Sequence, residues 1–205
     1  MVQRVSVFLA CSAFLCSATG AKSTLHIGDV EKTYRLAAEN TSVKGIAFEE
    51  KAEKSPRLFV LDESGAIFVY CFNDDTGKRT GGAELLEALS IPKGAVKKPP
   101  AHPRGLAVTR EAQARIIYFL NWEGGVPQLW RCDFAAGAFT IIDLSLYQYR
   151  IGDREVFDLA ASGGKIHICF DASGYTSANL RVMRGVACFS WSTARKRLSF
   201  VKHMP

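Results

Sequence analysis

The sequence predicts an all-β fold in which one unit of four antiparallel strands occurs three times. Residues 45–62, 105–121 and 156–171 share a pattern of an apolar strand, a gap and a second strand that ends in Asp or Asn. Each stretch is followed by a Gly-containing turn and another apolar strand. Self-similarity over several tens of residues is typical of stacked supersecondary units. The repeat therefore predicts an architecture, and by itself it predicts no activity.

The strands are predicted from short runs rich in Val, Ile, Phe, Tyr and Leu, bounded by Gly, Asp, Asn, Ser or Pro. The three repeat units cover about residues 43–92, 104–145 and 154–204. The predicted strands are 43–48, 57–62 and 66–73 in the first unit, 105–109, 114–121, 127–134 and 138–144 in the second, and 156–161, 165–171, 182–191 and 197–203 in the third.

The first unit departs from the pattern after its third strand. Residues 81–89 place Leu85, Leu86 and Leu89 at helical spacing, which predicts either a short helix or an irregular outer strand. The connector 93–103 contains three prolines and two adjacent lysines, which block regular structure. No second domain is predicted.

The first 21 residues have the three-part pattern of a secretory signal peptide. Arg4 precedes a weakly polar to apolar run over 5–16, and small residues follow over 17–21. A bilayer span takes about 20 residues, so a permanent transmembrane helix is the weaker interpretation. We therefore expect cleavage near Ala21 and a single exported domain, residues 22–205, that is periplasmic or secreted. A lipid anchor on Cys11 is the alternative.

The charge balance excludes some classes of function. Lys and Arg number 26 against 20 Asp and Glu, a net charge of +6. Loss of Arg4 with the signal peptide leaves 25 against 20, or +5. That excess implies mild attraction to anionic surfaces and is too small to indicate nucleic-acid binding. No segment of the mature chain is long and apolar enough to span a membrane.

Four cysteines, at positions 71, 132, 169 and 188, remain after the predicted cleavage, each within an apolar strand pattern. Buried free cysteine behaves as a small hydrophobe, although an even number in an exported chain permits disulfides. If one bridge forms, Cys169 to Cys188 is the candidate, because they would lie on neighbouring strands. No Cys-x-x-Cys or Cys-x-x-His spacing indicates a metal site.

In pattern, the repeat resembles the β-propeller superfamily, in the group of NHL-repeat, SMP-30-like and phytase-esterase-like propellers. The resemblance covers residues 43–205 and lies in the Gly-apolar-Ala-apolar first strands, the Asp-x-Ser-Gly turn at 62–65 and the strand at 67–70. It implies a partial, about three-blade propeller-like array of four-stranded antiparallel sheets.

Propellers typically close with four to eight blades. Three blades therefore call for a further element, and three alternatives are open. A second copy of the chain could complete the ring as a homodimer, residues 24–36 could add a strand or two, or the sequence could be the front part of a once longer protein.

The resemblance also implies a ligand face, built by the turns between second and third strands and by the connectors between blades. On this sequence that face would present seven candidate ligand-binding residues: Asp62, His102, Arg104, Asn121, Trp122, Asp171 and Tyr175. Asp and Asn at such offsets are also what tight turns require, and this structural interpretation is the stronger one.

Calcium is the candidate cofactor that the resemblance implies, because several lactonase- and phytase-like propellers hold it. By repeat position Asp62, Asp158 and Asp171 are the candidate ligands. However, calcium takes about six to eight oxygens, and the sequence has no Asp-x-Asp-x-Asp-Gly loop. We therefore expect no cofactor, with calcium as the alternative.

No catalytic motif is recognisable in the sequence. The four histidines are scattered, and neither a Gly-x-Ser-x-Gly elbow nor a Gly-Lys-Ser/Thr phosphate loop occurs. We therefore expect a non-enzymatic exported module that binds an unknown protein or glycan. The alternatives are a calcium-dependent hydrolase of ester or phosphate bonds and an inactive truncated remnant of a longer propeller.

Overall fold

The computed structural model describes residues 4–5, 34–36, 40, 42–49, 57–72, 83–147, 155–171, 184–192 and 194–204. Over these residues the chain forms strands and a single 3-10 turn, Leu144–Tyr147. Strands β1 (Arg4–Val5) and β2 (Tyr34–Arg35) pair as an antiparallel ribbon. None of the described residues belongs to a helix that could cross a membrane. Most of the predicted signal peptide and all of 24–33 lie outside the described residues.

Twelve strands form three four-stranded antiparallel sheets, and in each sheet consecutive strands are neighbours. Sheet I contains β3 (Val43–Glu49), β4 (Arg57–Asp62), β5 (Ile67–Phe72) and β6 (Ala83–Leu89). Sheet II contains β7 (Pro103–Glu111), β8 (Ala114–Glu123), β9 (Val126–Asp133) and β10 (Ala138–Asp143). Sheet III contains β11 (Glu155–Ser162), β12 (Lys165–Asp171), β13 (Arg184–Ser192) and β14 (Arg197–Met204). The all-β prediction is confirmed.

The outer strand β6 decides the alternative at residues 81–89 in favour of a strand. It pairs with β5, and the register shifts so that Val69 faces Glu87 while Tyr70 faces Leu85. Leu86 is therefore the extra residue of a β-bulge, which interrupts the two-residue alternation of a strand. That interruption explains why the leucines of β6 imitate helical spacing in the sequence.

Two apolar interfaces stack the sheets in chain order. Alternate residues of β8 point to opposite faces, so this strand supplies both interfaces. Between sheets I and II the core includes Phe59, Leu61, Ile67, Val69, Leu106, Ile117, Phe119 and Trp130. Between sheets II and III it includes Ile116, Tyr118, Leu120, Leu129, Leu159, Ile168, Phe170 and Phe189.

The outer faces of sheets I and III differ in polarity. The outer face of sheet I carries a third buried apolar cluster of Leu58, Val60, Phe68 and Tyr70. The outer face of sheet III is mixed: Val186, Cys188 and Met204 lie in register beside Asp158, Lys165, His167 and Lys202.

The first strands of the three sheets lie side by side, with β7 in contact with both β3 and β11. A Cβ on Gly45 would lie 2.8 Å from the carbonyl carbon of Gly105. A Cβ on Gly105 would lie 3.0 Å from Leu159 Cδ2, and its φ of +58° suits glycine. Each first strand also has a β-bulge near its start, at Lys44, Gly105 and Phe157. The two glycines thus set the spacing between the sheets.

Arginine–glutamate pairs close the interface between sheets I and II at the edge where the first strands end. Glu49, the last residue of β3, is buried and accepts a hydrogen bond from Arg110 Nε at 2.9 Å. Arg115 Nε lies 3.3 Å from the other oxygen of Glu49, and its guanidinium covers the Phe59 ring at 5.3 Å. These contacts tie the two sheets together where the apolar core ends.

A glutamate and an arginine also lie at this edge of sheet II, beside sheet III. Glu111, the last residue of β7, accepts hydrogen bonds from Arg131 Nη2 at 2.7 Å and from the Tyr118 hydroxyl at 2.5 Å. Arg131 in turn covers the Trp191 ring of sheet III at 5.3 Å. Glu111 therefore pairs within sheet II, and the link to sheet III is the contact of Arg131 with Trp191.

The close approach of the first strands predicts that Gly45→Ala is destabilising. The added methyl group would meet backbone atoms of β7, which have no free rotamer to move into, so we expect a loss of about 1–3 kcal/mol in the free energy of unfolding. Denaturant unfolding measures it. Gly94→Ala is the control, because Gly94 has open space around it and only its positive φ resists the change. Equal costs for both variants would contradict the steric explanation.

The environment of Tyr118 predicts that the effect of Tyr118→Phe on the free energy of unfolding depends on pH. Burial, then the hydrogen bond and charge of Glu111, raise the pKa of Tyr118 well above its ordinary value. A phenol with a raised folded pKa contributes stability below about pH 10 that is lost as the pH rises further. We expect Tyr118→Phe to lower the free energy of unfolding by about 1–3 kcal/mol at neutral pH.

At about pH 11 the same substitution should cost less, because only the wild-type unfolded state gains stability from ionising this phenol. Denaturant unfolding at the two pH values gives the difference. Tyr147→Phe, which removes a hydroxyl bonded to the Leu198 carbonyl oxygen at 3.1 Å, controls for a hydroxyl lost elsewhere. A cost for Tyr118→Phe that is the same at both pH values would contradict the expectation.

Candidate functional site

An open cleft lies between sheets I and II, at the edge where their first strands begin. Its volume is about 430 Å³, and it is lined by Lys44, Glu63, His102, Pro103 and Arg104. His102 and Arg104 were predicted as ligand-binding residues from the sequence. Lys44 and Glu63 were not. A lysine inside a strand carries no local signal, whereas Glu63 lies in a turn of the expected ligand face and could have been found there. The β-bulge that places Lys44 is visible only in the pairing of β3 with β4.

Asp62 supports one wall of the cleft from behind. The residue is buried, and its carboxylate accepts hydrogen bonds from the backbone N–H groups of Ser42 at 2.9 Å and Ser64 at 3.0 Å. The N–H of Glu63 donates to the Ser42 carbonyl oxygen at 2.9 Å. Since Ser42 directly precedes β3, Asp62 fastens the start of the first strand to the end of the second.

Asn121 supports the opposite wall of the cleft by bonding the backbone of the connector. Its Oδ1 accepts a hydrogen bond from the His102 N–H at 2.9 Å, and its Nδ2 donates to Gln128 Oε1 at 3.0 Å. Trp130 Nε1 donates to that same oxygen at 3.0 Å. Asn121 is completely buried. Asp62 and Asn121, both predicted as ligand residues, thus hold the walls in position.

Trp122 lies in β8, because this strand continues to Glu123 beyond the predicted turn. The indole is half-buried, and its Nε1 donates to the Val156 carbonyl oxygen of sheet III at 3.4 Å. The Arg104 guanidinium lies 5.6 Å from the centre of the indole ring. Trp122 therefore orients Arg104, a role that its position in the sequence did not indicate.

The described residues of the cleft lining carry a positive excess. Lys44 and Arg104 contribute two positive charges and Glu63 one negative charge, which leaves +1 when histidine is not counted. Lys44 Nζ lies 3.6 Å from Glu63 Oε1, and the Glu63 side chain is 60% exposed.

On the connector, Lys98 donates to Glu123 Oε1 at 2.8 Å. This hydrogen bond raises the pKa of Lys98 and lowers that of Glu123. The charge of Lys98 is therefore balanced by that of Glu123, whereas the described residues of the cleft lining keep an excess of one positive charge.

The calcium hypothesis rests on three aspartates. Among the residues that the structure describes, no group of three His, Cys, Asp or Glu side chains could hold a metal ion. Both Asp62 oxygens accept backbone hydrogen bonds, and Asp158 Oδ1 accepts one from the Leu159 N–H at 2.8 Å. The Asp171 side chain and all of Tyr175 lie outside the described residues, so their ligand roles stay predictions.

Cys169 and Cys188 are free thiols in the structure. They lie on neighbouring strands, as predicted, but Cys169 faces Val186 whereas Cys188 faces His167, so the two cysteines are offset along the strands. Burial raises the pKa of the Cys132 thiol to about 12, and burial together with Asp158 raises that of Cys169. Since the thiolate is the reactive form, neither thiol is activated as a nucleophile.

No protein-family model matches the sequence, and no curated protein is significantly similar to it. The chemistry of the cleft is therefore the basis on which a function can be assigned.

The role of Asn121 predicts that Asn121→Asp is destabilising. A carboxylate cannot donate to Gln128, and a buried negative charge would face the oxygen of that side chain. We expect a loss of about 1–3 kcal/mol in the free energy of unfolding, measured with denaturant. Asp133→Asn is the control, because Asp133 makes an exposed hydrogen bond to the Ala136 N–H. An Asn121→Asp variant as stable as the wild type would contradict the role of Asn121 in holding this wall of the cleft.

Proposed function

We propose that the protein is an exported binding module and that the cleft between sheets I and II holds part of a glycan. We further propose that the three sheets are consecutive blades of a partial propeller-like array. Each sheet runs from a first strand beside its counterparts to a fourth strand at an outer edge, as blades do. The signal-like pattern at residues 5–21 supports export.

The observation that carries the binding function is a polar cleft with fixed walls. One wall is held by Asp62 through Ser42, and the other by Asn121 through His102. Preformed pockets that place a few polar groups at defined positions are typical of ligand sites. Since little of the backbone has to be ordered on binding, more of the interaction energy becomes affinity.

The size of the cleft favours a glycan over a protein as the ligand. Its volume of about 430 Å³ lies in the range of about 300–1,000 Å³ that is usual for small-ligand sites. A stable protein interface uses about 20–30 residues on each partner, which is many more than the described residues of this lining. Lys44, His102 and Arg104 supply N–H donors, and Glu63 supplies an acceptor for hydroxyl groups.

The described lining residues give less support to a hydrolase. Hydrolysis of an ester or phosphate bond needs an activated nucleophile or a metal-bound water. No Ser, Thr or Cys side chain is among the described residues of the lining, and its carboxylate, Glu63, is paired with Lys44. Binding without turnover is therefore the function that this chemistry supports best.

A glycan array tests the proposal. We expect the purified protein to bind a defined subset of glycans, and His102→Gln to weaken that binding by at least about fivefold, as the loss of one hydrogen bond does. Lys202→Gln, on the exposed outer face of sheet III, should leave binding unchanged. Ester and phosphate substrates with added calcium provide the second arm. Absence of glycan binding, or calcium-dependent hydrolysis, would overturn the proposal.

A further inference from the structure

We propose that the cleft selects acidic glycans, whose carboxylate or sulfate groups bind between Lys44 and Arg104. This inference rests on the proposed function and adds the chemical class of the ligand. Two cationic side chains come from different sheets, Lys44 from β3 and Arg104 from β7, and line one cleft. An anion in the cleft would therefore contact both sheets at once.

Lys44 owes its position to a β-bulge. Val43 pairs with Asp62 and Gly45 with Leu61, so Lys44 is the extra residue of β3. A bulge turns one side chain away from the regular alternation of its strand, and bulges are frequent beside functional sites. The hydrogen bond from Ser42 to Asp62 holds the backbone just before this bulge. The ammonium group is thus directed to the cleft by backbone geometry.

Arg104 is oriented before any ligand binds. Its guanidinium lies over the Trp122 ring, and the indole is anchored through its hydrogen bond to Val156. The backbone nearby is held on both sides of His102, whose N–H donates to Asn121 and whose carbonyl oxygen accepts from the Trp122 N–H at 3.3 Å. A planar guanidinium matches a carboxylate or sulfate with two parallel hydrogen bonds.

Glu63 acts as a weak competitor for the ligand anion. It is the acidic residue among the described members of the lining, and it lies 3.6 Å from Lys44 Nζ. Exposed ion pairs of this kind contribute little stability, so an incoming carboxylate or sulfate can replace Glu63 at Lys44. Removal of the Glu63 charge should therefore raise the affinity for acidic ligands, whereas removal of either cationic side chain should lower it.

The test compares four probes by calorimetry with the whole protein. A heparin tetrasaccharide carries sulfate and carboxylate groups, a tetragalacturonate carries carboxylates alone, maltotetraose is neutral, and a single-stranded oligonucleotide is a polyanion without sugar acids. We expect both acidic glycans to bind at least about tenfold more tightly than maltotetraose, as a charge-assisted contact provides. We also expect them to bind more tightly than the oligonucleotide.

Matched variants test the individual residues. Lys44→Gln and Arg104→Gln should each lower the affinity for the acidic glycans about tenfold. Arg104→Lys, which keeps the charge and loses the planar fork, should lower this affinity less. Glu63→Gln should raise it about twofold to fourfold, which is the effect of an exposed ion pair. Lys202→Gln on sheet III should change nothing.

Each outcome has a separate meaning. If maltotetraose binds as tightly as the acidic probes, the anion inference is wrong and the glycan-binding function stands. If no glycan binds, the proposed function itself fails. Oligonucleotide binding equal to that of heparin, or a Glu63→Gln variant with weaker acidic binding, would also overturn the inference. Lys44→Gln keeps the test decisive if Arg104→Gln fails to fold.

Discussion

The close approach of the first strands is the constraint on which the rest of the structure depends. Gly45 and Gly105 have no side chains where β3, β7 and β11 meet, so the three strands come within backbone contact. Sheets whose first strands are this close must place their faces against one another, which produces the two apolar interfaces. The same contact brings the starts of β3 and β7 together, and the cleft lies between them.

Buried polar residues stabilise both ends of this arrangement. Asp62 and Asn121 bond the backbone ahead of the first strands, and Glu49 and Glu111 bind arginines at the other edge. A buried polar group costs free energy unless it is hydrogen-bonded, so these positions tolerate few other residue types. The polar positions that recur in the repeat therefore have structural roles, whereas Lys44, Glu63 and Arg104, which give the cleft its charges, do not recur in all three units.

The polarity of the outer faces bears on how further copies or strands could extend the stack. A second copy that closed a ring would have to cover the outer face of sheet III, where Asp158, Lys165 and Lys202 are exposed. Burial of a charge without a partner costs far more than burial of an unpaired neutral polar group, for which the cost is about 2–7 kcal/mol. The outer face of sheet I is apolar and already buried at its centre.

The sequence by itself determined the strands, their order and the antiparallel repeat, because alternation and turn residues are local properties that each segment carries alone. It also placed His102 and Arg104 on the expected ligand face, and both line the cleft. The turn offsets of Asp62 and Asn121 favoured a structural role, and the tertiary structure showed which backbone groups they bond. Only the tertiary structure decided that β6 is a bulged strand and that Lys44 and Glu63 belong to the cleft. Those properties arise from pairing register and sheet contacts, which join residues far apart in the chain and leave no local pattern.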